Sequence, residues 1–96
     1  MLVLITYDVR TENEAGQKRL RRVAKVCEDY GQRVQKSVFE CLVDPEQWVK
    51  LKSSLLKEAN LDEDSLRFYF LGKKWKARVE HVGLQMTYDP EGPLVV

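Results

Sequence analysis

The sequence has few of the residues that specialised small proteins depend on. Its 96 residues include two cysteines, one histidine and five glycines. Cys27 and Cys41 lie in apolar periodic segments without metal-ligand spacing, so we expect both thiols to be buried and reduced. His81 has no second histidine or cysteine to share a zinc ion with, and the glycines form no phosphate-binding loop. These absences argue against disulfide-rich, zinc-dependent and P-loop proteins.

Long apolar runs are also missing. No stretch approaches the roughly 20 apolar residues that span a bilayer, and the apolar residues 1–5 lack the basic residues that precede a secretory signal. We therefore expect a cytoplasmic protein. Its length fits one domain, residues 1–96, and because a core of this size stabilises a fold only marginally, we expect it to self-associate.

Charge is balanced in total but uneven along the chain. Sixteen basic and fifteen acidic residues leave a formal net charge of +1. Residues 17–36 and 67–78 are mainly basic, whereas residues 40–64 are mainly acidic. This polarity suits a polyanion bound on one side of the protein. It is equally typical of an ordinary solvated surface, so the charge map alone does not decide between the two.

The first third of the chain predicts a strand followed by a helix. Residues 1–7 are nearly all apolar, as in a central strand buried on both faces, and Asp8 ends the run at the surface. Residues 11–14 match a capping box that opens a helix with one apolar stripe. We expect Gly31 to adopt the left-handed conformation that stops this helix.

The remainder predicts two strands, a helix and a further strand. Residues 33–43 change parity, which indicates two short strands or one bent strand with a bulge or turn at residues 35–37. Asp44, Pro45 and Gln47 form the capping box of a second helix. Residues 65–71 alternate, with Leu66, Phe68 and Phe70 predicted to face the core. Val79 to Val82 is a candidate further strand. The fold class is α+β, and the order β-α-β-β-α-β predicts a ferredoxin-like sheet covered on one face by two helices.

Asp8 is the most suggestive candidate for chemistry. An acid directly after a buried strand is held rigidly where a ligand can reach it, and its hard oxygens suit Mg²⁺ or Mn²⁺. The alternative is an exposed acid that caps the turn at residues 10–11. One carboxylate is too few for a convincing metal site, but a twofold dimer could bring two Asp8 side chains together. Such an ion could activate water beside a phosphodiester that Arg22 and Arg33 clamp.

Five segments carry a resemblance to a known family. They are residues 4–9 (LITYDV), 22–25 (RVAK), 30–41 (YGQRVQKSVFEC), 65–69 (SLRFY) and 91–96 (EGPLVV). On these segments the chain resembles the CRISPR-associated protein 2 family of the bacterial and archaeal adaptive defence system. The resemblance spans nearly the whole chain. Its most specific part is the segment at residues 30–41, taken together with its sequence distance from the Tyr7-Asp8 pair at the end of the first strand.

The resemblance implies a fold, an activity and partners. The fold is a ferredoxin-like homodimer in which an extra C-terminal strand is exchanged, so that residues 79–96 contact the partner protomer. The activity is a Mg²⁺-dependent (or Mn²⁺-dependent) endonuclease acting on double-stranded DNA or single-stranded RNA, in CRISPR defence and spacer acquisition. The alternative is a non-catalytic, DNA-binding adaptor of the spacer-integration complex. The implied partners are nucleic acid and the CRISPR integrase, CRISPR-associated protein 1.

The resemblance also implies roles for individual residues. Asp8 is the metal ligand and a catalytic residue, together with Tyr7, Arg22, Arg33 and Phe39. The nucleic-acid contacts are Lys18, Arg19, Arg22 and Arg33. Whether Arg19 or Arg21 is the phosphate contact of the first helix stays open.

Overall fold

The computed structural model describes residues 1–83. Its elements are β1 (Leu2–Asp8), α1 (Glu14–Glu28), β2 (Gly31–Gln35), β3 (Val38–Leu42), α2 (Pro45–Glu58), β4 (Ser65–Gly72) and a short 3₁₀ helix (Trp75–Ala77). The four strands form one antiparallel sheet in the order β2-β3-β1-β4. This order confirms the predicted ferredoxin-like arrangement, with β1 in the interior of the sheet.

The sheet has two unlike faces. Val3, Ile5 and Tyr7 of β1 are buried against the two helices, on what we term the helix face. Because successive strand residues point to opposite sides, Leu4 and Thr6 lie on the other side, the open face, where they are only half-buried. Leu2, at the start of the strand, is also buried, but from Val3 to Tyr7 the strand is fully buried on the helix face alone, not on both faces as its apolar run predicts.

The two helices begin in different ways. At α2 the predicted capping box is confirmed: the Asp44 carboxylate accepts from Gln47 N at 2.7 Å, and Asp44 N donates to Gln47 Oε1 at 2.9 Å. At α1 the predicted cap is wrong, because Asn13 is the N-cap and accepts from Gly16 N at 2.7 Å. Asparagine caps a helix at least as well as threonine does, so Asn13 is as good an N-cap candidate as Thr11, two residues earlier.

Two glycines are required by close backbone contacts. A Cβ on Gly16 would lie 1.7 Å from the carbonyl oxygen of Arg10, and a Cβ on Gly31 would lie 2.0 Å from that of Glu40. The prediction that Gly31 is left-handed is wrong: within residues 1–83 only Gly72 and Gly83 have positive φ. Gly31 instead opens β2, where its missing side chain lets β3 approach.

The turn between β2 and β3 lies where the change of parity predicts it. β2 ends at Gln35, β3 begins at Val38, and the pairing shifts register between Arg33 and Gln35. The carbonyl oxygen of Ser37, in the turn, accepts a hydrogen bond from Tyr7 N at 2.9 Å. The turn is thereby fixed beside the end of β1.

The edge strand β4 is less buried than its alternation predicts. Leu66 and Phe68 are half-buried, but Phe70 is 54% exposed, so its predicted place in the core is wrong. Phe70 does lie on the helix face, opposite Val3. The Trp48 ring packs edge-on against it there, with the two ring centroids 5.2 Å apart. Within residues 1–83, β4 has no neighbouring strand on its outer side, which leaves Phe70 exposed.

The segment after the 3₁₀ helix does not form the predicted strand. Residues 79–83 have no strand pairing, and Val82 is 84% exposed. The predicted exchange of a C-terminal strand falls mostly on residues 84–96, which lie outside the described part of the chain. Cys27 and Cys41 are buried and unoxidised, as predicted. Among residues 1–83, no helix combines the length and apolarity needed to cross a membrane.

Candidate active site at the end of the first strand

Asp8 is exposed at the last position of β1. It pairs across the sheet with Ser65, the first residue of β4, and the turn containing Ser37 lies on its other side. Strand alternation places its carboxylate on the open face, with Thr6, while Tyr7 points to the helices. The acid thus stands at one end of the sheet between two fixed strand termini.

The donor set around Asp8 fits one protein ligand of a hydrated ion. Within residues 1–83 no three His, Cys, Asp or Glu side chains are grouped closely enough to hold a metal. Mg²⁺ keeps several waters and is commonly bound through one or two carboxylates, so a single exposed aspartate is compatible with it. Mg²⁺ or Mn²⁺ binding at Asp8 stays a prediction.

Tyr7 is buried on the opposite side of the strand from Asp8. Its side chain is almost inaccessible, and its hydroxyl donates a hydrogen bond to Oδ2 of Asp64. Burial, reinforced by this hydrogen bond to a carboxylate, raises the pKa of Tyr7 well above its ordinary value. The phenol is therefore a neutral donor inside the core, directed away from the surface that Asp8 occupies.

Arg19 forms a buried ion pair with Asp64. Its Nε lies 3.0 Å from Oδ2 and its Nη2 lies 3.1 Å from Oδ1, while Nη2 is also 3.1 Å from Glu63 Oε2. The amide N–H of Asn60 donates to Oδ2 at 2.9 Å. We term Tyr7, Arg19 and Asp64 the buried triad. The Arg19 guanidinium is committed to this triad and does not lie on an open basic surface.

The Arg19 and Asp64 side chains of the triad are both held in their ionised forms. Burial by itself raises the pKa of Asp64, but hydrogen bonds from Arg19, Tyr7 and the Asn60 amide, with the Arg19 charge, outweigh it and lower that pKa. The hydrogen bond to Asp64 likewise raises the pKa of Arg19. The ionised pair is therefore the form that the fold stabilises at neutral pH.

Arg33 and Phe39 form a second small cluster. Phe39 is completely buried in the core and faces Arg33 across β2 and β3. The Arg33 guanidinium lies 5.6 Å from the centre of the Phe39 ring, and its Nε donates to the Lys36 carbonyl oxygen at 2.7 Å. Phe39 thus serves as a platform for Arg33 and is not itself accessible.

Lys18 and Arg22 lie on the exposed side of α1. Arg22 Nε is 3.3 Å from Glu58 Oε2, and Lys18 Nζ is 3.4 Å from Glu14 Oε1. Exposed pairs of this kind are weak and exchange readily with other anions. Both cations are therefore available to a polyanion, on the helix side of the sheet.

The structure divides the predicted site residues into separate groups. Tyr7 and Arg19 meet through Asp64, and Arg33 meets Phe39, whereas Asp8 lies alone on the open face. Their predicted catalytic and nucleic-acid-binding roles stay predictions. Asp64 was missed by sequence reasoning. Its signal was indirect: Arg19 precedes Val23 by one helical turn, so it borders the buried stripe, where an arginine needs an acidic partner.

Comparison with known proteins identifies the family. Residues 1–79 match the family described as CRISPR associated protein Cas2. The chain is 64% identical over 96 residues to the CRISPR-associated endoribonuclease Cas2 of Nitratidesulfovibrio vulgaris, covering 100% of this chain and 94% of the relative. It is 55% identical over 95 residues to the CRISPR-associated endonuclease Cas2 of Halalkalibacterium halodurans, covering 99% of each.

A solved structure agrees with these sequence relatives. The crystal structure of Streptococcus pyogenes Cas2 at pH 6.5 superposes with a TM-score of 0.79 at 59% identity, covering 86% of this chain and 100% of that one. The sequence match, the end-to-end relatives and the shared fold all indicate the same family. The chain belongs to the CRISPR-associated protein Cas2 family.

Proposed function

We propose that the protein is an endonuclease of a CRISPR system, which hydrolyses phosphodiester bonds of RNA or DNA. The observation that carries this proposal is Asp8, an exposed carboxylate at the end of the central strand. Relatives that align with nearly the whole chain are named endoribonuclease or endonuclease, which supports the same activity.

Asp8 would act as the protein ligand of a divalent cation. Such an ion, when bound, lowers the pKa of a coordinated water and neutralises charge on the phosphate. The chain's own contribution is to hold the carboxylate on the open face in a fixed direction. Arg67 shares that face, since it pairs with Thr6 across β1 and β4, and its Nη1 lies 3.4 Å from the Tyr69 hydroxyl. Arg67 is thus a cation that could contact a phosphate beside Asp8.

A homodimer would complete the site. Each chain supplies one carboxylate at this position, and a twofold axis near the end of β1 would bring two Asp8 side chains to one ion. The open face supplies half-buried apolar residues for such a contact, among them Leu4, Val38 and Leu42. Assembly with the CRISPR integrase and a cytoplasmic location are further parts of the proposal that rest on the family resemblance.

A purely non-catalytic DNA adaptor is not favoured. The names of the relatives describe nucleases. The basic surface of α1, which an adaptor would use, is also smaller than the sequence predicts, because Arg19 is buried in the triad. Lys18 and Arg22 remain available for non-specific phosphate contacts, which are compatible with a nuclease that also holds nucleic acid.

The test replaces Asp8 by asparagine, which removes the charge and keeps the shape. End-labelled single-stranded RNA and duplex DNA are incubated with purified wild type and variant in Mg²⁺, in Mn²⁺ and in EDTA. We expect at least a 100-fold loss of metal-dependent cleavage in Asp8→Asn and none in the matched variant Asp62→Asn, which changes another exposed aspartate. Equal cleavage by Asp8→Asn and wild type, in preparations of the same oligomeric state, would refute the proposal.

A further inference from the structure

We infer that Asp64 and Arg19 are positioning residues, which act through Tyr7 to hold the end of β1 so that Asp8 presents its carboxylate on the open face. This inference rests on the proposed function, in which Asp8 carries the chemistry. It assigns a role to Asp64, which has no exposed side-chain surface and cannot itself contact a nucleic acid.

The triad links the two chain segments that carry the site. Tyr7 immediately precedes Asp8, and Asp64 immediately precedes Ser65, the residue that pairs with Asp8 across the sheet. The hydrogen bond from the Tyr7 hydroxyl to Asp64 therefore joins the same two segments a second time, beneath the sheet. The Asp8 backbone is fixed by strand pairing and, one residue earlier, by this side-chain link.

Helix α1 anchors the segment on both sides of Asp8. Arg19 in α1 binds both oxygens of Asp64, which fixes the carboxylate that receives the Tyr7 hydroxyl. Two residues after Asp8, the Arg10 carbonyl lies so close to Gly16 of α1 that no side chain fits between them. The residues that flank Asp8 on each side are thus held, directly or through Asp64, by one rigid helix.

The donor count shows that the triad is closed to substrate. Oδ2 of Asp64 accepts from Tyr7, Arg19 Nε and Asn60 N, and Oδ1 accepts from Arg19 Nη2. Four hydrogen bonds fix the orientation of this carboxylate, and because the side chain has no exposed surface it cannot accept a hydrogen bond from a substrate. Buried ion pairs are often no more stabilising than apolar residues of similar volume, so stability alone does not account for a charged group here. The need for a fixed geometry next to Asp8 does account for it.

The experiment compares Tyr7→Phe, Asp64→Asn and the double variant with wild type. Tyr7→Phe removes one oxygen atom, and Asp64→Asn removes the charge at constant shape. The readouts are the cleavage rate at saturating substrate, Mn²⁺ affinity by electron paramagnetic resonance, and the NMR order parameter of the Asp8 amide. We expect each single variant to lose at least tenfold in rate and severalfold in Mn²⁺ affinity, with a lower Asp8 order parameter. The double variant should be no worse than the poorer single variant, because both changes break one link.

Two controls separate positioning from general stability. Glu63→Gln alters the half-exposed partner of Arg19 without touching the carboxylate of Asp64, and its rate should stay within twofold of wild type. Leu55→Ala destabilises the core in α2, and at a temperature where it is folded its rate should also be retained. An equal loss of rate in Leu55→Ala would assign the effect to stability and overturn the inference.

The outcomes also distinguish this inference from the proposed function. Unchanged rate, Mn²⁺ affinity and Asp8 order in Tyr7→Phe would overturn the positioning role while leaving the nuclease intact. Losses that multiply in the double variant would overturn it as well, since Tyr7 and Asp64 would then act separately. If wild type cleaves neither substrate, the nuclease proposal fails, and reduced Asp8 order with weaker Mn²⁺ binding in the variants still supports the positioning role. If Asp64→Asn does not fold, Tyr7→Phe alone decides.

Discussion

Replacing Arg19 by methionine would leave the Asp64 carboxylate buried without its cation. Methionine keeps an unbranched apolar side chain of similar reach, so the packing of the Arg19 stem is largely preserved. The Asp64 side chain is 0% exposed and that of Arg19 is 11% exposed, so the carboxylate would stay largely shielded from bulk water. Tyr7 and Asn60 still donate to the carboxylate, but neither carries a compensating charge.

The size of the destabilisation in Arg19→Met follows from the ion pair and hydrogen bonds that Asp64 loses. Removing one partner of a buried ion pair costs about 3–5 kcal/mol. Because two of the four hydrogen bonds to Asp64 survive, we expect a loss near the lower end, about 3 kcal/mol. Folded domains have a free energy of unfolding of only about 5–15 kcal/mol, so this is a large share. With the urea dependence usual for small proteins, the unfolding midpoint should fall by about 1–3 M.

The pH dependence gives a second, independent signature. In wild type the pKa of Asp64 is lowered, so the ionised acid stabilises the fold above its unfolded pKa of about 4, and that stability is lost as pH falls through the folded value. In Arg19→Met burial is no longer opposed by a cation, so the pKa of Asp64 should rise and protonation should relieve the penalty. The stability gap between the two proteins should therefore shrink between pH 7 and pH 4.5.

Urea unfolding followed by tryptophan fluorescence, at one protein concentration because self-association shifts stability, measures both effects. The control is the double variant Arg19→Met/Asp64→Leu, which removes the charge together with its partner and should recover much of the loss. A penalty below about 1 kcal/mol at pH 7 would contradict the buried ion pair, since it is smaller than the cost of one unpaired buried polar group. A gap that does not change with pH would contradict the role of the Asp64 charge.

Two further predictions concern the ends of the helices. Asp44→Ala should lower the free energy of unfolding by about 1 kcal/mol through loss of the α2 cap. Glu46→Ala, which lies outside the capping box and loses only an exposed first-turn charge paired with Lys50, should cost less. Equal losses would show that the cap is not responsible. Gly16→Ala should destabilise the fold, because the alanine Cβ would clash with the Arg10 carbonyl. In a helix without such a contact, alanine is more favourable than glycine by about 1 kcal/mol. A higher urea midpoint in the variant would therefore contradict the contact.

The features that the sequence predicted well are those with local signals. The acid at the end of β1 follows from one apolar run, and the α2 capping box follows from four consecutive residues, Asp44 to Gln47. The cap of α1 was misplaced because Thr11 and Asn13 are both competent N-caps; in the fold Asn13 caps the helix, and Gly16, which donates to it, lies close to the Arg10 carbonyl. That contact joins residues whose spacing carries no periodic signal.

Errors and omissions arise where distant parts of the chain meet. The exposure of Phe70 depends on β4 lying at the edge of the sheet that residues 1–83 form, which alternation within the strand cannot reveal. The pairing of Arg19 with Asp64 joins residues 45 apart in sequence, and that of Tyr7 with Asp64 joins residues 57 apart. A run of acids before a strand is indistinguishable in sequence from a solvated loop, so the Asp64 site became visible only in the fold.

The division of the sheet into two faces constrains how the predicted residues can cooperate. Asp8 lies on the open face, whereas Arg22 is bound to Glu58 of α2 on the helix side. The two side chains therefore lie on different sides of the sheet, and within residues 1–83 Arg67, on the open face, is better placed than Arg22 to contact a phosphate at Asp8. In the proposed homodimer, the chemistry of Asp8 would depend on how two protomers bring their open faces together, and the buried triad would determine whether each Asp8 is in position when they do.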